Sequence, residues 1–320
     1  MTVAIAALTL MACRGADGPP ERVVVVEKAA MPQVVDSLVA HGVVAWPALF
    51  GLYVRIRRAD TEMRPGVYEL QRGATWSEIV DVLTGSAAPS LTVVVPEGWT
   101  LRQIAGRLVR VTGLSADSIA RRLYDPALAR ALGVPGPTLE GYLFPATYWF
   151  PRGRSPESLA GLMLRRYRQV WTVERRARLD SLGMSENEIV TLASIVQAEA
   201  RHWDEMPVIA AVFHNRLRAG MRLQADPTVR YALDPGTPFD YTQIDSLAGN
   251  PYNTYDHPGL PPGPIGSPGE AAIDAALHPS EVSYLFFFAR PDGRHQFSRT
   301  FEEHRAAIER FRRDPPKADR

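Results

Sequence analysis

Over the first third of the chain, short apolar runs of strand length give way to apolar positions at helical spacing, each time across a polar or glycine turn. Val23-Val24-Val25-Val26 leads into Met31 to Ala40, where Val34, Val35, Leu38 and Val39 share a helical face. Val67-Tyr68-Glu69-Leu70 turns at Gly73 into the helix-like run Trp76 to Leu83. Val93-Val94-Val95 turns through Pro96-Glu97-Gly98 into a helix from Thr100 to Leu108. The pattern predicts three copies of strand, turn and helix.

Residues 113 to 136 read as one or two short helices and a Gly/Pro linker. An aromatic-rich segment, Glu140 to Tyr148, is closed by Pro151, and one long helical stretch is expected from about Ser158 to Leu182, ending near Gly183. Ser185-Glu186-Asn187-Glu188 fits a capping box, in which Ser185 accepts the Glu188 amide and Glu188 reaches back. Ile189, Leu192, Ala193, Val196 and Ala200 then form an apolar stripe. A further helix begins near Asp204, tolerates Pro207 in its first turn and ends near Gly220. Its stripe of Val208, Ala211 and Val212 continues into Asn215, a polar residue on the face expected to be buried.

The chain has 320 residues, 36 Lys+Arg against 35 Asp+Glu, and 46% apolar residues. That is ample for a core and too balanced for a disordered chain or a polyanion-binding surface, so no nucleic-acid partner is expected. One cysteine excludes an internal disulfide framework and a Cys-rich zinc site. That residue is Cys13, directly after the apolar run Thr2 to Ala12. Eleven helical residues span only about 17 Å, too short to cross a bilayer but suited to an export signal. Leu10-Met11-Ala12-Cys13 resembles a bacterial lipoprotein signal, and the alternatives are the tail of a longer membrane anchor and a frayed apolar terminus of a cytosolic protein.

On a helical wheel Glu199 lies roughly 70° from the centre of its stripe, where partial desolvation raises a carboxyl pKa. An acid kept protonated near neutrality can deliver a proton to a glycosidic oxygen. A solvated flank residue fits the same wheel position. Asn215 reads either as a tie between loops or as a group that orients a carboxylate or a sugar hydroxyl. Gln224, Asp226, Thr228 and Tyr231 occupy a Pro-containing turn, followed by Tyr252-Asn253-Thr254-Tyr255 and the stiff segment Gly259 to Ile265. Flat aromatic faces beside amides and hydroxyls suit carbohydrate, and a Pro-rich loop holds them with little entropy left to lose. The seven histidines show no His-Glu-x-x-His pair, and neither a Gly-x-Ser-x-Gly nor a phosphate-binding loop motif occurs, so no metal or cofactor is expected.

Taken in order, Glu140 to Tyr148, Ala193 to Glu199, Asn215-Arg216-Leu217, Leu223 to Thr228, Tyr252 to Tyr255, Gly259 to Ile265, His278-Pro279 and His295 to Ser298 resemble the endolytic murein transglycosylase (MltG, or YceG-like) family. The resemblance covers roughly residues 22 to 310 and is strongest after 137. It implies an envelope enzyme that cuts glycan strands internally, leaves 1,6-anhydro-muramic ends and so limits strand elongation. Glu199 matches the family's catalytic glutamate, the second acid of a Glu-x-Glu pair, while Gln197 stands where the first usually lies. The same resemblance implies sugar-positioning roles for Asn215, Gln224, Tyr252, Asn253 and Tyr255, and an electrostatic role for Glu140 or Asp226. Murein strands, cell-wall synthases and the membrane, reached through the amino terminus, are the implied partners. The inner membrane, with the catalytic part facing the periplasm or exterior, is the implied location.

The third strand-turn-helix copy also resembles a LysM sugar-binding module, and an ordinary small α/β unit explains it equally. The expected fold class is α+β, with a small LysM-like α/β region before a helix-rich catalytic domain with a Pro-rich loop and short strands. The expected division is 1–20 signal or anchor, 21–112 LysM-like, 113–136 linker helices, 137–310 catalytic and 311–320 polar tail. A hydrolytic muramidase would need a second carboxylate about 5 to 9.5 Å from Glu199, with Asp226 and Glu140 as candidates. A non-catalytic scaffold that binds murein for synthases is the other alternative, and it would be indifferent to loss of the Glu199 carboxyl.

Overall fold

The first two strand-turn-helix copies close on one another. In the computed structural model, which describes residues 21–25, 30–63, 66–85, 90–151, 154–233, 237 and 239–313, β1 (Glu21–Val25) pairs antiparallel with β2 (Gly66–Leu70), Val23 opposite Tyr68. Helix α1 (Met31–Ala40) follows the first strand. A second helix, α2 (Pro47–Ile56), precedes β2 and was not expected. Its apolar residues point both ways, Phe50 and Val54 inward and Leu49, Leu52 and Ile56 outward, so it carries no helical periodicity. Helix α3 (Trp76–Leu83) starts at a capping box in which Glu78 reaches back to the Thr75 amide at 2.8 Å. Val23, Leu38, Phe50, Val54, Ile79 and Leu83 form the core of this unit, which spans Met1–Ser90.

The larger unit is Leu91–Arg320. The third copy belongs to it, because β3 (Ser90–Val95) pairs with β4 (Ala146–Pro151). Helices α4 (Leu101–Thr112), α5 (Ala116–Leu123) and α6 (Pro126–Ala131) follow β3. The long helix expected over 158–182 is two helices, α7 (Pro156–Val170) and α8 (Val173–Leu182). They separate where the Thr172 hydroxyl accepts the Arg175 amide and restarts the helix as an N-cap.

Helix α9 (Glu186–Glu199) starts at the expected Ser185/Glu188 box. Its apolar stripe understates its burial, since every residue from Ile189 to Val196 is buried. Ser194 tolerates this by donating to the Thr191 carbonyl and accepting the Ile265 amide at 3.0 Å. A short 3-10 turn, Trp203–Glu205, leads into α10 (Met206–Arg218), then α11 (Asp226–Ala232), α12 (Gln243–Ser246) and α13 (Glu270–Leu277). The antiparallel hairpin of β5 (Phe286–Ala289) and β6 (His295–Ser298) precedes α14 (Phe301–Arg313), which carries helix into the segment expected to be a loose tail. The chain is thus a helix-rich α+β fold with short antiparallel strands. Residues 1–20, with Cys13, and residues 314–320 lie outside the described residues. Among the described residues no helix is long and apolar enough to cross a membrane.

Candidate active site

Glu199 is the last residue of α9, and the chain leaves the helix at Ala200 in an extended conformation. A carboxylate there faces the negative end of the helix dipole and the edge of an apolar core. Among the described residues its carboxyl has no hydrogen-bond partner, although it is half-buried. Burial foremost, and then the charge of Asp226, push the Glu199 carboxyl up to about 7. Arg230 and Arg216 oppose that shift without reversing it. The result is an acid that holds its proton near neutral pH and gives up a carboxylate with cations at hand.

Asp226 opens α11 and is held by two tyrosines. Tyr255 donates to one carboxyl oxygen at 2.5 Å and Tyr241 to the other at 3.3 Å. Both tyrosine hydroxyls are raised above the usual phenol range, by burial first and then by Asp226, and so remain donors. The turn that delivers Asp226 is tied to the 252–255 segment by Thr254, which is wholly buried. Its carbonyl accepts the Gln224 amide at 3.1 Å and its hydroxyl accepts the Ala225 amide at 3.0 Å. Its hydroxyl also meets that of buried Thr228 at 2.9 Å. Gln224 is thereby fixed at φ +50°, a left-handed conformation unusual for a residue with a side chain. Its side chain is exposed beside this cluster.

In the sequence Arg216 appears only as part of the Asn215-Arg216-Leu217 motif, with no role of its own, and Arg230 is not singled out. Arg216 is in fact 7% exposed. Its guanidinium donates to the carbonyls of Leu285 at 2.7 Å and Leu223 at 2.6 Å and lies over the Phe286 ring. It makes no ion pair among the described residues, so the nearby carboxyl of Glu199 is an electrostatic partner when ionised.

The two asparagines do different work. Asn215 is only half-buried, and the buried polar residues of α10 are His214 and Arg216. The Asn215 amide donates to the carbonyls of Val282 and Tyr284, both at 2.9 Å, and its oxygen accepts from Arg218. Asn253, wholly buried, donates to the carbonyls of Ile244 and Leu247 and accepts the Tyr255 amide. Both side chains tie loops around the cluster.

Glu140 anchors a second cluster on the far end of α11. One carboxyl oxygen accepts the Leu101 amide at 2.9 Å, at the start of α4. The other accepts the hydroxyls of Tyr124 at 2.9 Å and Tyr231 at 3.1 Å. Tyr252 packs on Tyr231 with ring centroids 4.9 Å apart. Burial pushes the Glu140 carboxyl up to about 7 against the pull of these donors. Gln197 sits elsewhere again, where its oxygen accepts the Gly269 amide at 3.0 Å at the start of α13. Among the described residues no group of three or more His, Cys, Asp or Glu could hold a metal ion.

This fold, with a near-neutral glutamic acid at the end of a buried helix and the Leu223–Thr228 and Tyr252–Tyr255 turns beside it, defines a YceG-like protein. Residues 23–310 match the YceG-like family, and the chain belongs to it. It is similar to the endolytic murein transglycosylase of Bacillus subtilis, 33% identical over 281 residues that make up 82% of this chain and 76% of that protein. The endolytic murein transglycosylase of Streptococcus pneumoniae R6 is 29% identical over 299 residues, 84% of this chain, which spans about half (53%) of that longer relative. The crystal structure of a YceG-like protein from Listeria monocytogenes is similar with a TM-score of 0.62 and 32% identity, covering 90% of this chain and 99% of that one.

Proposed function

We propose that this protein is an endolytic murein transglycosylase in which Glu199 serves first as acid and then as base. Protonated Glu199 gives its proton to the oxygen joining N-acetylmuramic acid to N-acetylglucosamine, and the bond from the anomeric carbon to that oxygen breaks. The resulting carboxylate takes the proton of the muramic 6-hydroxyl as that oxygen attacks the same anomeric carbon. The product is a 1,6-anhydro end, the proton is back on Glu199 and no water is consumed. Proximity of the internal hydroxyl replaces a bound nucleophile. Asp226 keeps the resting acid protonated, and Arg216 and Arg230 steady the carboxylate between the two steps. Gln224, Tyr252 and Tyr255 border the space for sugar, while Asn215 and Asn253 hold its walls.

One observation carries this reading: a single carboxyl raised to about 7 with no hydrogen-bond partner among the described residues. Asp226, the nearby candidate for a hydrolytic second carboxylate, already accepts two tyrosine hydroxyls. The test is to digest purified glycan strands with wild type and Glu199→Gln and weigh the new ends. Anhydro ends, lighter by one water than reducing ends, are expected from wild type, and a rate lower by about 10²–10⁴-fold from the variant. Reducing ends from wild type would indicate a muramidase, and a fully active variant would remove Glu199 from the chemistry.

The strand-helix-helix-strand order of β1, α1, α2 and β2 is that of a LysM module, which supports a glycan-gripping role for residues 21 to 70 rather than 93 to 108. The apolar run before Cys13 supports attachment to the inner membrane with the catalytic unit outside the cytoplasm, by lipidation or by a longer anchor. An enzyme placed there and cutting within strands is suited to partnership with the synthases that extend them.

A further inference from the structure

A cleft of about 410 Å³ opens in the larger unit between α4 and α5, lined by Arg102, Asp117, Ala120, Arg121 and Tyr124. Asp117, Ala120, Arg121 and Tyr124 fall at i, i+3, i+4 and i+7, so α5 turns one face to it. Arg102 faces it from the first turn of α4. Arg102, Asp117 and Arg121 are exposed, and none of their side chains makes a hydrogen bond or ion pair with another described residue. Their neighbour Arg122, by contrast, pairs with Glu157 at 3.3 Å. Three charged groups thus border one concave surface with their valences open. Two guanidiniums and one carboxylate match a small ligand with at least two carboxylates and an amine.

Tyr124 ties this cleft to the catalytic neighbourhood. Its hydroxyl donates to Glu140, which also accepts Tyr231 of α11, the helix that Asp226 opens. Five helical residues from Asp226 to Tyr231 rise only about 7.5 Å. We propose that this cleft receives the peptide branch of a murein strand, Arg102 and Arg121 taking its carboxylates and Asp117 its free amine, while the glycan lies at Glu199. The proposal rests on the murein reading above. Four residues in extended form reach about 14 Å, so the branch is long compared with the roughly 7.5 Å rise of the helix that joins Asp226 to Tyr231. The enzyme would then prefer strands that still carry their peptides.

Two measurements test this, one of them independent of cleavage. Wild type and Arg102→Ala/Arg121→Ala are compared on peptide-bearing strands and on the same strands stripped of peptide by an amidase. The double variant is expected to lose about tenfold in kcat/KM on peptide-bearing strands and less than twofold on stripped ones. Equal losses on both substrates, or no loss on either, overturn the proposal. Separately, the free tetrapeptide alanyl-glutamyl-diaminopimelyl-alanine is titrated into the full-length protein and followed by NMR. Saturable shifts that the double variant abolishes are expected. No saturation, or the same curve in both proteins, rejects the cleft, as does displacement of the peptide signal by inorganic phosphate at equal concentration. If neither strand type is cut by wild type, the transglycosylase reading fails, and the titration still decides the cleft.

Discussion

Tyr255 donates its hydroxyl to Asp226 at 2.5 Å, so the carboxylate that opposes ionisation of Glu199 is itself held from a loop 29 positions away. A charge fixed in this way acts steadily on its neighbour. If Glu199 is the acid, as proposed, activity should fall as pH rises through about 7, where its carboxyl ionises. Asp226→Asn removes the repelling charge, lowers the Glu199 pKa and should move the alkaline limb of the kcat/KM profile down by up to about one unit. A limb that stays in place would detach Asp226 from the acid.

Glu140 leaves a mark on stability. Its carboxyl is raised to about 7, so the folded protein keeps a proton that the unfolded chain loses above about 4.5. Stability from this group is complete below the unfolded value and is lost as pH rises through the folded one. Glu140→Gln should therefore reduce the fall in unfolding free energy between pH 4.5 and 7.5 by on the order of 3 kcal/mol. Urea titrations at the two pH values read it directly, and an undiminished fall in the variant counts against the raised carboxyl.

The Thr254–Thr228 contact gives a coupled prediction. Thr254→Val strands the buried Ala225 amide and should cost about 1–3 kcal/mol of stability. The pair Thr228→Val and Thr254→Val should cost less than the sum of the singles, because the hydroxyl contact is removed from both sides. Strict additivity would mean that the 2.9 Å contact carries no coupling.

Two glycines should respond in opposite directions to alanine. A Cβ on Gly266 would lie 2.6 Å from the Gly98 carbonyl oxygen, within the pairing of Gly98 and Trp99 with Ser267. Gly266→Ala should destabilise by about 1–3 kcal/mol. Gly161, inside α7 with nothing near its Cβ direction, should gain about 0.5–1 kcal/mol as alanine. Thermal melts of the two variants separate the cases.

Much of this was legible in the chain because it is local. The capping boxes at Thr75, Thr100 and Ser185 and the change of period around each strand and helix need only neighbouring residues. Glu199 stood out through the ordered motifs around it, since its place at the edge of an apolar stripe fits a solvated residue equally well. Helix α2 escaped because its two faces are equally apolar. The break at Thr172 was outweighed by helix formers on both sides, although threonine two positions before a glutamate is a readable cap. The burial of Arg216 was invisible for a different reason. Its acceptors, the carbonyls of Leu223 and Leu285, are backbone groups from distant turns that no residue type announces. Asn215 and Asn253 show the converse, since an asparagine meant for sugar and one that ties a loop are spelled alike.

The ties around the acid have a temporal side. Glu199 acquires Asp226, Tyr241 and Tyr255 only from chain that follows it, and Arg216 is seated by carbonyls as late as Leu285. Closing loops of this length is slow beside helix formation. A chain emerging from its amino end therefore carries a finished helix α9 well before it carries an acid with its proton in place. The proposed acid is thus complete only once nearly the whole larger unit has folded, and a chain truncated before Leu285 should lack it.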